Sequence, residues 1–288
     1  QPGGAWRMTL ETPRLRRTRV TVRFIALSIG ALLMTAPFLY MVSTAFKPNF
    51  LAFEWPPKFI PDPATVDNFV QAWSANDFAR YFVNSALVAC ATTVATTLLA
   101  AMAAYAFARF AFPGRSLLFW TMMLGLMVPG VVILIPQFLV AKSLELTNSL
   151  SGLVFFYVGG GMAFNTFLLR GFFERMPREL DEAMDMDGAG PVRRFVTLYL
   201  PLSRPALATS AIFAFLGSWD EYVWALTTIT DAEKQTLPLA IAQFQGQHAT
   251  AWGLVFAASL VGMLPVIGVF LLGQRHIVSG LQSGALKS

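Results

Sequence analysis

The chain has 288 residues, of which 56% are hydrophobic and only 13% charged, and its mean hydropathy is +0.57. A soluble domain of this size carries roughly twice that share of charge, so too little charge remains to cover a water-facing surface, and lipid is the expected solvent. The lone cysteine, Cys90, excludes an intramolecular disulfide, the distant His248 and His276 argue against a histidine-built metal centre, and the net charge of +5 is read by position rather than as affinity for nucleic acid.

Residues 1–7 precede the first methionine, Met8, which is read as the natural start; 1–23 is expected to be a cytoplasmic tail. Apolar stretches of about 20 residues, the length that crosses hydrocarbon, fall at 24–46, 82–108, 117–141, 150–169, 206–229 and 253–273. They predict an all-α, polytopic membrane protein with about six spans, and a tail over 274–288. The first stretch is longer than a signal h-region and lacks a small-residue cleavage site, so it is expected to be retained.

Between the first two spans, residues 47–80 carry Pro48, Pro56, Pro57, Pro61 and Pro63, which predicts a stiff extramembrane segment. Its Trp55 and Trp73 suit either the headgroup level or a partner. The second span places Thr92, Thr96, Ala100, Ala104 and Ala108 at every fourth position, a small-residue stripe that lets another helix approach closely. Helix breakers follow: Pro129-Gly130 and Pro136 in the third span, Gly159-Gly160-Gly161 with Asn165 in the fourth, Pro265 in the sixth. Such residues face a neighbouring helix or a cavity. Either kinked packing or a movable pathway accounts for them.

With the N-terminus inside, the outer connections hold only Lys47, Lys58, Arg80, Lys142 and Lys234 of the 21 basic residues. That bias fixes the orientation, and an even number of spans puts both termini in the cytoplasm. The long inner connection, 170–204, is rich in both acids and arginines. Pro177 is expected to open a short helix, with Glu179, Asp181 and Glu182 near the positive end of its dipole. Leu180, Ala183 and Met184 then share one face. Gly188 suits a left-handed C-terminal cap, and Pro191 starts a second short helix that Leu200-Pro201 ends. The pair should lie beneath the membrane with an apolar face exposed. Such a face needs a cover.

Asp220 and Glu221 fall in the fifth apolar segment, where a charge at mid-membrane costs about 2.5–3.5 kcal/mol. One reading places them on a wet substrate path with Trp219, Tyr222 and Asn165, since carboxylates beside aromatic rings suit the hydroxyl edges and apolar faces of sugars. The other has them fixing helix ends or pairing with an arginine such as Arg80.

Glu182-Ala183-Met184, Gly188, Leu198 and Leu200-Pro201 resemble the EAA loop of bacterial ABC importer permeases, with Met184 in place of the second alanine. Phe46-Lys47-Pro48, Asn84-Ser85, Tyr105-Ala106-Phe107-Ala108-Arg109 and Trp219-Asp220-Glu221-Tyr222 are similar to the sugar-importing branch, which commonly shows Trp-Asn-Glu-Phe at the last of these. So is the ending, Gln274-Arg275-His276 through Gly280-Leu281 to Gly284-Ala285-Leu286-Lys287; the set looks like the smaller permease of the maltose type. The resemblance implies a non-catalytic subunit of the bacterial inner membrane. It implies that Glu182, Ala183, Met184, Asp187, Gly188, Ala189, Leu200 and Pro201 couple to a cytoplasmic ATPase, towards which the C-terminal tail also reaches. The implied partners are a second homologous permease, two ATPase copies and an extracytoplasmic sugar-binding protein. ATP and magnesium would belong to the ATPase: no lysine here follows a glycine, so there is no phosphate-binding loop, and no cofactor is expected on this chain.

Two other classes compete. An ion-coupled secondary transporter would use Asp220 or Glu221 as a proton relay, but gives no reason for the EAA spacing. A membrane-embedded enzyme lacks a catalytic constellation. Disaccharides, oligosaccharides and sugar or polyol phosphates all remain open as cargo.

Overall fold

The computed structural model describes residues 13–75, 77–246 and 250–285, with side chains between 20 and 274. Met8, His248 and the side chains of the C-terminal motif from Arg275 onward lie outside the described residues. The helices are α1 (Pro13–Ala45), α2 (Asp67–Ser74), α3 (Phe78–Arg109), α4 (Arg115–Leu124), α5 (Gly130–Ser143), α6 (Leu150–Phe173), α7 (Glu179–Met186), α8 (Pro191–Arg194), α9 (Leu200–Leu202), α10 (Arg204–Trp219), α11 (Val223–Thr228), α12 (Leu237–Gln243) and α13 (Trp252–Ala285). Four of these are long and apolar enough to cross a membrane singly: α1 from Val20, α3, α6, and α13 as far as Gln274. Two bent helix pairs bring the number of candidate spans to as many as six.

The small-residue stripe places α3 at the centre. Thr92, Thr96, Ala100, Ala104 and Ala108 are all buried, and α3 and α6 make the most extensive helix pairing. A methyl group on Gly161 of α6 would come within 3.0 Å of the Thr96 Cγ2 atom, so small residues on both helices set this close approach. Helix α10 packs on α3 and α13, and α1 packs chiefly on α13. Between Val20 and Val42 no residue of α1 is buried, so the apolar surface of that stretch is left to lipid or a partner.

The third expected span, 117–141, is not one straight helix. The chain turns through 109° between Arg115–Met127 and Gly130–Ser143. Pro129 is the cause: it has no N–H, and it forces the preceding residue into extended backbone, so Val128 leaves the helix with ψ 119. The other breakers break nothing. Pro136 lies inside α5, Pro265 inside α13, and α6 runs through its three glycines.

The fifth expected span, 206–229, also divides. Helix α10 stops at Trp219, residues 220–222 are non-helical, and α11 follows as a separate short helix. Helix α7 starts at Glu179, two residues after Pro177, because the Arg178 carbonyl accepts the first helical bonds, from the Asp181 and Glu182 amides. Pro191 does open α8, but the helical run passes Leu200-Pro201 and ends at Leu202. Pro201 cannot supply an amide and its ring crowds the carbonyl a turn earlier, and Phe195–Tyr199 widens into a π turn to accommodate it.

Candidate coupling site and intramembrane cavity

Helix α7 is built to end sharply. The Ala189 amide donates to the Met184 carbonyl at 2.9 Å and the Gly188 amide to Asp185 at 3.0 Å, the paired bonds of a Schellman end. Gly188 sits at φ +67, where a side chain would be strained. Beyond the turn Ala189 is buried, whereas Glu182, Ala183 and Asp187 are exposed. Leu180 is exposed, Met184 is half-buried and Met186 is 89% exposed, so the foot shows an uncovered apolar surface beside its acids.

The foot is fastened to the end of α3 through one residue. The Asp181 carboxylate accepts the Tyr199 hydroxyl at 2.7 Å and lies 3.5 Å from Arg109 Nη1. Arg109 Nη2 in turn donates to the Phe173 and Met176 carbonyls, both at 2.7 Å, and the guanidinium lies 5.2 Å from the centre of the Tyr199 ring. Tyr105 packs on Phe195 and Tyr199 and donates to the Pro191 carbonyl at 3.2 Å. Burial, and then the bond to Asp181, hold the Tyr199 phenol above its usual pKa, so it remains a donor. A second tie, Arg194 to Asp185 at 3.0 Å, closes α8 onto α7. The arrangement joins α3, α6, α7 and the 191–202 run into one charge-balanced block. Sequence reasoning singled out none of Arg109, Asp181 or Tyr199 as a site; an arginine ending an apolar span, followed by a loop of carboxylates, was the available signal.

Within the membrane, α3, α5, α6 and α10 border a cavity of about 690 Å³. Its polar lining includes Thr92, Thr96, Gln137, Asn165, Ser218 and Glu221, and among the described residues no lysine or arginine lines it. The hydroxyls of Thr92 and Thr96 are buried without a hydrogen-bond partner among the described residues. Asn165 is 2% exposed and ties helices together: its Oδ1 accepts from Ser210 Oγ at 2.7 Å, and its Nδ2 donates to the Gly161 carbonyl at 2.8 Å.

Glu221 is also engaged. Its carboxylate accepts the Tyr157 hydroxyl at 2.6 Å and the amides of Trp224 and Ala225 at 2.7 and 3.1 Å. These are unsatisfied donors of the first turn of α11, so the carboxylate caps the start of that helix just after the break at 220–222.

The remaining path candidates lie elsewhere. Trp219, Asp220 and Tyr222 border a separate cavity of about 580 Å³ with α12 and α13. Trp219 is buried, stacked on Phe215, and donates to the Gly262 carbonyl at 3.1 Å. Asp220 is exposed at the end of α10. Arg80 pairs with Glu233 at 3.2 Å and Asp77 at 3.8 Å, not with either acid of the break. At that same end of the bundle Asn84 donates to the Glu233 and Gln235 carbonyls, and Ser85 accepts the Leu237 amide, which clamps the loop before α12 onto α3. Lys47 is buried and paired with Glu54 at 3.1 Å.

Residues 78–282 match the family described as binding-protein-dependent transport system inner membrane component. The trehalose/maltose transport system permease MalG of Thermococcus litoralis is 36% identical over 91% of this chain and 96% of its own. The diacetylchitobiose uptake permease NgcG of Streptomyces coelicolor is 32% identical over 92% of this chain and 90% of its own. Among solved structures, a chain of a bacterial ABC transporter that imports alginate superimposes with a TM-score of 0.79, covering 90% of this chain and 96% of that one; at 22% identity this shows a shared fold. The chain belongs to the carbohydrate-uptake branch of the binding-protein-dependent ABC transporter permeases, and is a non-catalytic, multi-pass inner-membrane subunit of a sugar importer.

Proposed function

We propose that this chain forms one half of a sugar translocation pathway and takes its energy from a cytoplasmic ATPase through α7. A second homologous permease, two ATPase copies and an extracytoplasmic sugar-binding protein complete the assembly; ATP and magnesium sit on the ATPase, and both termini face the cytoplasm. The carrying observation is the foot itself. A Schellman-ended acidic helix with an uncovered apolar surface is bolted through Asp181, Arg109 and Tyr199 to the end of the central helix α3. A push on α7 therefore moves α3 rather than bending a loop. The cargo is a disaccharide, an oligosaccharide or a related sugar: relatives are named for diacetylchitobiose, for trehalose or maltose and for sulfoquinovosyl glycerol.

Replacing Gly188 tests the reading. Valine at φ +67 costs about 1–2 kcal/mol or more and should spoil the turn that presents α7. Gly188→Val is expected to leave ATP hydrolysis running while sugar uptake into vesicles falls by about tenfold or more. Unchanged uptake would remove α7 from the coupling path.

A further inference from the structure

A cavity of about 720 Å³ lies between the start of α4 and the last turns of α6, on the side of the coupling loop. Its lining combines two chemistries. Arg115 and Arg170 contribute guanidiniums, and Leu117, Trp120 and Phe167 contribute exposed apolar surface. The Arg170 guanidinium lies 3.8 Å from the centre of the Phe119 ring, and its Nε donates to Glu174 Oε1 at 2.8 Å. These contacts hold the group in position, yet its two terminal nitrogens have no hydrogen-bond partner among the described residues. Arg115 donates to the Phe110 carbonyl at 3.3 Å and lies 3.8 Å from Glu174. One carboxylate thus faces two guanidiniums, and the surplus charge is positive.

The depth of the cavity narrows the ligand. Helix α6 leaves the membrane at Phe173 and α4 begins at Arg115, so in the orientation proposed above the site sits at the inner headgroup level. Here we infer that it holds the headgroup of an anionic phospholipid of the inner leaflet, with the phosphate on Arg115 and Arg170 and the acyl chains along Leu117, Trp120 and Phe167. The planar fork of arginine matches a phosphate, and basic pockets between spanning helices on the cytoplasmic side suit anionic headgroups. A free phosphate ion would use the arginines but gain nothing from the apolar residues beside them. A lipid bound here would tie the start of α4 to the end of α6, next to Glu174, where the coupling loop leaves the membrane.

The test uses the purified, delipidated importer with all its subunits, titrated with phosphatidylglycerol or with phosphatidylcholine of the same acyl chains and read by native mass spectrometry. Phosphatidylglycerol is expected to bind the wild-type complex more tightly. Arg115→Gln with Arg170→Gln should weaken it by about tenfold or more and leave phosphatidylcholine unchanged. Arg115→Lys with Arg170→Lys should keep most of the preference, which separates charge from folding. Equal phosphatidylglycerol affinity in the wild-type and glutamine complexes overturns the inference. So does displacement by millimolar inorganic phosphate, which would mark a free-anion site, or failure of the assembled complex to take up lipid because another subunit covers the cavity. Sugar uptake and ATP hydrolysis measured on the same preparation distinguish failure of the lipid site from failure of the coupling assignment.

Discussion

Asp181 in the proposed coupling loop and Glu221 in the broken fifth span each accept a tyrosine hydroxyl, at 2.7 and 2.6 Å, but their other partners differ in kind. Asp181 faces the guanidinium of Arg109, which is 9% exposed. Beyond that hydroxyl, Glu221 faces backbone amides, those of Trp224 and Ala225, among the described residues. The first is half of an ion pair, and removing it strands a nearly buried cation. The second is a helix-starting cap, held by dipoles that a neutral acceptor can partly satisfy. One carboxylate locks two elements together; the other marks where a helix stops and a new one begins.

That contrast orders the expected effects. Asp181→Asn should be the most damaging change. Breaking a buried pair costs about 3–5 kcal/mol, reduced here to about 2–3 kcal/mol because Arg109 keeps two carbonyl acceptors. It should appear as a lowered thermal midpoint of the purified complex and as lost uptake. Glu221→Gln keeps one acceptor oxygen, enough for one of the two amides, which meet different carboxylate oxygens, and should cost about 1–2 kcal/mol in the same melt; a loss larger than that of Asp181→Asn would erase the distinction. Tyr199→Phe and Tyr157→Phe each delete one hydroxyl bond and should cost about 1 kcal/mol. Only Tyr199→Phe is expected to lower the uptake gained per ATP hydrolysed, since Tyr199 lies in the block proposed to carry coupling. Arg80→Gln removes an exposed pair with Glu233 and should fall within about 0.5 kcal/mol of wild type.

What the sequence disclosed was what local chemistry decides. Gly188 at positive φ and Pro191 at a helix start follow from the backbone limits of those two residues, and both stand as expected. The small-residue stripe on α3 is buried throughout for a similar reason: its spacing alone defines a face. Direction was harder to read. Hydropathy counts apolar residues and carries no angle, so the 109° turn at Pro129 lay hidden in a stretch of the right length. Polar residues in spans were ambiguous as well. Asn165 and Trp219 look alike on paper whether they face sugar or a neighbouring helix, and both make helix-to-helix bonds that depend on residues distant in the chain, Ser210 and Gly262. The Arg109–Asp181 pair was unreadable in the same way, because the loop held six acids and nothing local distinguished this one.

The most direct trial of the coupling assignment asks which side of the membrane the foot occupies and what covers it. Met186 is 89% exposed, so Met186→Cys, in a chain also carrying Cys90→Ser, puts a single reactive thiol on α7. An impermeant thiol reagent is predicted to label it only from the cytoplasmic face of membrane vesicles, and labelling should fall sharply once the ATPase subunits are added. Labelling from the outside, or no protection by the ATPase, would contradict the account.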